Sequence, residues 1–305
     1  MKVVRVRTAG FCMGVGLALN KLDQEIKREK QTGNPARSVS RLLMLGPIIH
    51  NPQVLDDYAR QGVIQANSLD EIHPGDTVVI RAHGIPRADE NRLHTMGATL
   101  IDATCPKVKK AQLAIAEATR NGLPLYLFGE AEHPEVRGLV SYAAGPCLVF
   151  GSLQELQARF ADYQKQISRT AETEAPGHGK KAVLAAQTTQ ERFEFDAIQE
   201  WLSRQLDLTI LSTICDATRK RQEETQQVAQ QVQAMIVVGG HTSGNTRRLA
   251  DVVRACNVPV WHIETAAELP LEEVAEHRSG VIGVTAGAST PRNLVDEVQR
   301  ILSDL

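Results

Sequence analysis

The sequence predicts an α/β protein built of three pseudo-threefold-related α/β domains, with small, mostly parallel sheets around a central cleft. Three observations carry this prediction. Short runs rich in Val, Ile and Leu alternate with helix-length segments, the signature of parallel βαβ units. A cysteine recurs at one kind of junction: Cys12 in GFCMGV, Cys105 in DATCPKV and Cys215 in STICDATRK each follow a short apolar run and precede a helix-like stretch. The polar loops downstream keep their spacing, since Cys105 to His133 and Cys215 to Ser243 are both 28 residues, and Cys12 to His83 is 71 against 74 for Cys215 to Ser289.

Taken in order, each third holds the same parts. After its cysteine, the first third has Val15, Leu19, Leu22 and Ile26 at helical spacing, then the apolar runs LLMLGPIIHN and DTVVIRAHGIP, each ending in a polar loop. The second repeats this with Val108, Ala111, Ile115 and Ala118, then LPLYLFGEAEHPE and AVLAAQTTQ. In the third, Lys220 through Gln230 is nearly all polar, so that helix is expected on the surface with only Val228 and Ala229 turned inward. AMIVVGGHTSGN and GVIGVTAGAST follow, and the helix LVDEVQRILSDL ends the chain. Lys30 to Ser40 and Ser168 to Lys181, poor in large apolar groups and carrying Pro and Gly, read as loops. Boundaries near the second and third cysteines give domains 1–104, 105–211 and 212–305.

Composition excludes several function classes. A formal net charge of -2 and a pI near 6.5 provide no global attraction to nucleic acid or anionic membrane, and aromatics make up only 4% of the chain, with no basic stripe. The start, Met1 to Arg7, interrupts its apolar residues with charge, and no run approaches the roughly 18 apolar residues a membrane span needs, so a cytoplasmic location is expected. Five cysteines with no CxxC pair suggest reduced thiols instead of a disulfide framework or a zinc ribbon.

Cys147 and Cys256 lack counterparts in the other thirds and read as small core residues. Cys12, Cys105 and Cys215 share one strand-to-helix junction, and helix N-termini favour the thiolates that metals bind. Three such ligands suit a cubane iron–sulfur cluster with one open iron, or a zinc ion with an open position. His50, His83 and His133 stand at strand ends with Thr188, Ser243, Asn245 and Ser289, together a set of donors for phosphate oxygens. Gly239 to Asn245 runs into a helix, which adds backbone N–H groups and a helix dipole. There is no GxxxxGK[ST] and no GxGxxG after the first strand, so ATP and NAD are not expected. Glu135, just after His133 and Pro134, is either a helix-start carboxylate or a proton donor; a carboxyl desolvated beside anions is driven towards the protonated form. Glu132 is expected to face away from any anion.

The motifs GFCMGV, HNPQV, AHGIP, DATCPKV, HPEV, QTT, ICDAT with its following RQ, SGNTRRLA and GVTAGAST, in that order, resemble those of the 4-hydroxy-3-methylbut-2-enyl diphosphate reductase family. The resemblance runs from near residue 5 to the end. It implies a 4Fe-4S enzyme that reductively removes an allylic hydroxyl to give isopentenyl and dimethylallyl diphosphate, the last step of the methylerythritol phosphate route to isoprenoids. It implies that Cys12, Cys105 and Cys215 ligate the cluster, leaving one iron open, and that His50, His83, His133, Ser243, Asn245 and Ser289 bind the diphosphate. Glu135 matches the acid that relays protons, in a catalytic set with Thr188 and His133; Thr188 orients the substrate alcohol. Gly244 stands among the binding residues as a departure, because some members carry a second serine there. A ferredoxin or flavodoxin is the implied electron donor, with no nucleic acid or membrane partner. The competing expectation is a non-catalytic, metal-dependent sensor of a phosphorylated metabolite.

Overall fold

The computed structural model describes residues 1–32, 41–170, 181–277 and 279–305. The fold is α/β, with three small parallel sheets flanked by helices. In chain order the elements are β1 (Lys2–Arg5), α1 (Met13–Thr32), β2 (Leu42–Leu45), α2 (Pro52–Arg60), β3 (Ile64–Ala66), β4 (Thr77–Ile80), α3 (Arg87–Thr95), β5 (Thr99–Asp102) and α4 (Pro106–Thr119). There follow β6 (Leu125–Phe128), α5 (Pro134–Val140), β7 (Cys147–Phe150), α6 (Leu153–Thr170), β8 (Lys181–Ala186), α7 (Arg192–Ser203), β9 (Asp207–Ile210) and α8 (Asp216–Ala229). The chain closes with β10 (Ala234–Val238), α9 (Gly244–Ala255), β11 (Val260–Ile263), α10 (Leu271–Ala275), β12 (Val281–Ala286) and α11 (Arg292–Asp304). The loops expected at 30–40 and 168–181 lie mostly outside the described residues. Their described ends belong to α1, α6 and β8 instead.

The chain forms two compact units, Met1–Ser68 with Asp216–Leu305, and Leu69–Cys215. The first contains a sheet of order β1-β12-β10-β11 and the parallel pair β2–β3. The second contains a sheet of order β7-β6-β8-β9 and the parallel pair β4–β5. Central strands are buried on both faces and read as unbroken apolar runs: LLML in β2, LYLF in β6 and AMIVV in β10 are buried throughout. In the second unit, alternate residues of β6 and β8 feed two cores. Tyr126, Phe128, Leu184 and Ala186 pack on one face, and Leu125, Leu127, Val183 and Ala185 on the other. Each fully buried Leu, Val or Phe contributes about 1.5–3 kcal/mol.

The strand ahead of each cysteine is a half-exposed sheet edge: β5 pairs with β4, β9 with β8, and β1 with β12, from Lys2↔Val281 to Arg5↔Val284. Charged residues at both ends of β1 suit an edge position. One local reading changes: α8 buries Thr218, Arg221, Gln222 and Thr225 as well as Ala229, so its inward face is polar where a surface helix was expected. Val228 is partly buried against the first unit's core, as anticipated.

Candidate functional site

Strand ends and helix starts place every candidate residue. All three repeated cysteines are partly exposed thiols outside any disulfide, immediately ahead of α1, α4 and α8. Their backbones are anchored alike: Cys12 N–H donates to the Ala288 carbonyl at 3.1 Å, Cys105 N–H to Ala82 at 2.9 Å, and Cys215 N–H to Thr188 at 2.9 Å. Each acceptor lies in the loop that follows a buried central strand, so a rigid sheet fixes the start of each thiol-bearing helix. Val15 N–H also points at Cys12 Sγ, at 3.4 Å. Soft thiols at exposed helix starts are a donor set suited to iron–sulfur chemistry.

In the second unit, contacts run from Cys105 to Cys215. Ala82, the anchor of Cys105, adjoins His83, whose ring meets that of His133 edge-on with centroids 5.4 Å apart. His133 is the N-cap of α5, where its Nδ1 accepts the Glu135 N–H at 3.1 Å, and Pro134 fills the first helical position. Glu135 is 1% exposed, and its carboxylate accepts the Thr188 N–H at 2.6 Å and the Thr188 hydroxyl at 3.0 Å. Thr188 in turn anchors Cys215 through its carbonyl. The Gln187 side chain, fully buried, accepts the Glu130 N–H at 3.1 Å and so fixes the loop leading to His133. Glu132 is exposed.

A parallel run of contacts fills the first unit. Beyond Ala288, the anchor of Cys12, lies Ser289. A Cβ at Gly287 would meet Thr246 Oγ1 at 2.1 Å, so the Ser289 loop packs directly on the first turn of α9. Ser243 caps α9, accepting the Thr246 N–H at 3.3 Å, and Gly244, Asn245 and Thr246 are buried in that turn. Asn245 Nδ2 is buried with no hydrogen-bond partner among the described residues, which suits an amide awaiting a ligand oxygen. Gly239, at φ +142, bends the chain ahead of this turn, and a Cβ at Gly240 would lie 2.9 Å from the His50 carbonyl oxygen. His50 is thereby held beside the same loop.

Sequence reasoning missed Asn51 and Thr189. Asn51 caps α2 as His133 caps α5 and Ser243 caps α9; it is 1% exposed, its Oδ1 accepts the Val54 N–H at 3.0 Å, and its Nδ2 has no partner among the described residues. Thr189 stands one residue after a cysteine anchor, as do His83 and Ser289, and its Oγ1 likewise has no partner among the described residues. Aligning the three thirds on their cysteine anchors would have exposed Thr189, and aligning them on the caps would have exposed Asn51.

The family model described as "LytB protein" matches residues 3–303. The chain is 51% identical over 307 residues to a protein of Nitratidesulfovibrio vulgaris (strain DP4) named 4-hydroxy-3-methylbut-2-enyl diphosphate reductase, covering 100% of both. It is 39% identical over 302 residues to a protein of the same name from Geobacter sulfurreducens, covering 98% of this chain and 95% of the relative. Among solved structures, one titled as (E)-4-hydroxy-3-methyl-but-2-enyl diphosphate reductase, the terminal enzyme of the non-mevalonate pathway, aligns over 100% of both chains with TM-score 0.67 and 34% identity. The Plasmodium falciparum E-1-hydroxy-2-methyl-but-2-enyl-4-diphosphate reductase shares the fold, with TM-score 0.84 at 22% identity over 99% of this chain and 88% of that one.

Proposed function

Since this chain belongs to the LytB protein family, we infer that it is an oxidoreductase of the non-mevalonate isoprenoid route, reducing 4-hydroxy-3-methylbut-2-enyl diphosphate. The observation that carries this is 51% identity along the whole length of a relative bearing that activity in its name. The balanced reaction takes two electrons and two protons, expels the allylic hydroxyl as water, and leaves isopentenyl or dimethylallyl diphosphate.

The finer assignment rests on the recurring anchors. Cys12, Cys105 and Cys215 would hold a 4Fe-4S cluster with one iron open; when bound, that cluster supplies the electrons and a Lewis-acidic position for the hydroxyl. By the family resemblance, His50, His83, His133, Ser243, Asn245 and Ser289 would bind diphosphate oxygens, helped by the α9 amides of Gly244 and Asn245. The two hydrogen bonds from Thr188 hold the Glu135 carboxyl in one orientation, so that it can hand a proton to the substrate while the Thr188 hydroxyl orients the alcohol. His133 caps the helix that presents Glu135. On this reading the chain divides into domains 1–104, 105–211 and 212–305, works in the cytoplasm and accepts electrons from a ferredoxin or flavodoxin. No helix among the described residues is long and apolar enough to cross a membrane.

The test is anaerobic turnover of the allylic diphosphate with a chemical reductant. Glu135→Gln is expected to retain iron and substrate affinity while losing at least about a hundredfold in turnover, the usual scale of one general-acid contribution. Near-normal turnover in that variant removes Glu135 from the proton path.

A further inference from the structure

The polar face of α8 contains a feature that the threefold repeat does not explain. Six residues after Cys12 and Cys105 come Ala18 and Ala111, both buried. Six residues after Cys215 comes Arg221, only 3% exposed. Burying a guanidinium is costly unless its donors are met, so an arginine where alanine suffices twice calls for a specific task. Its fork closes on one loop: Nε donates to the Thr8 carbonyl at 2.9 Å, and Nη2 to Thr8 and Gly10 carbonyls, each at 2.6 Å. Gly10 has φ +106, a conformation glycine tolerates and other residues resist, so the loop does not hold this shape through its own preferences. Two residues further on is Cys12.

We propose that Arg221 is a positioning residue for Cys12, its guanidinium clamping the Thr8 and Gly10 carbonyls so that the Cys12 sulfur keeps its place in the metal site. This rests on the reading of Cys12 as a cluster ligand. In each third a strand-end carbonyl anchors the cysteine N–H, and the Cys12 loop has this additional clamp from a distant helix. A planar fork suits two carbonyls at fixed separation, whereas a lysine places one point charge there.

The experiment compares wild type, Arg221→Met, Arg221→Lys and Cys12→Ser, all purified anaerobically with their iron, by rate of iron release to a ferrous chelator and by the electron paramagnetic resonance spectrum of the reduced protein. Arg221→Met is expected to release iron about tenfold faster, the scale for loss of an outer-shell support, with a shifted spectrum; Arg221→Lys falls between it and wild type in both. Faster release with a wild-type spectrum, or wild-type release, overturns the clamp, because general loosening does not alter the cluster's spectrum. If Arg221→Met does not fold, Arg221→Lys decides by the same two readouts. Cys12→Ser separates the two levels: full iron and an unchanged spectrum there refute the ligand reading itself, while iron loss there beside an unperturbed Arg221→Met refutes only the clamp.

Discussion

Replacing Thr188 by valine removes one hydroxyl from the buried Glu135 pair and changes little else. The carboxylate keeps the Thr188 N–H at 2.6 Å and loses the hydroxyl at 3.0 Å. With the two residues 1% and 5% exposed, water does not readily replace the lost donor. A hydrogen bond to a charged group contributes about 1.5–3 kcal/mol net. About 2 kcal/mol, if expressed fully in the transition state, is a fall in turnover of about thirtyfold. Steady-state kinetics with a viologen donor under anaerobic conditions measure this, with thermal melting alongside; Thr188→Ser, which keeps the hydroxyl, is expected to restore most of the rate. The reasoning fails if Thr188→Val turns over within about twofold of wild type, because the hydroxyl would then neither orient Glu135 nor the alcohol.

Other consequences can be checked independently. Burial pushes the Cys147 thiol up to about 12, so iodoacetamide at pH 8 leaves it unmodified in native protein; peptide mass spectrometry showing rapid labelling contradicts this. Gly287→Ala places a Cβ against Thr246 Oγ1 at 2.1 Å, and Thr246 is only 1% exposed, so about 1–3 kcal/mol of stability should be lost, with partial recovery in the double variant with Thr246→Ala; additive losses in a denaturation cycle rule out the clash. Although desolvation pushes the Asp102 carboxyl up, the Thr104 hydroxyl and N–H and the Lys109 ammonium win, and it lies below its ordinary value. A carboxyl lowered on folding stabilises above its unfolded pKa of about 3.9 and loses that contribution as pH falls through the folded value. The stability gap between wild type and Asp102→Asn is therefore expected to persist at neutral pH and to close in acid; a gap that widens in acid reverses the sign.

Much of the architecture can be read from local pattern. Unbroken apolar runs mark β2, β6 and β10 as central strands because both faces of such strands are buried, and the cysteine junctions mark the helix starts of α1, α4 and α8. Pro52 and Pro134, each next to a capping residue, likewise fix where α2 and α5 begin. Those signals are local, and each residue's type limits its own backbone and burial.

Pairing is a different matter. Lys2 to Arg5 suits an edge strand of any of these sheets, and only the folded chain seats it on β12, some 280 residues along. The polar face of α8 shows the same limit, because a helix with few apolar residues reads as solvent-exposed until a distant loop presents carbonyls to its arginine. Glu135 and Thr188 meet across 53 residues for a similar reason. Hydrophobic burial is nearly non-directional, so composition and period reveal it. A buried polar group is stable only opposite a partner at hydrogen-bond distance, and that partner is supplied by the tertiary structure.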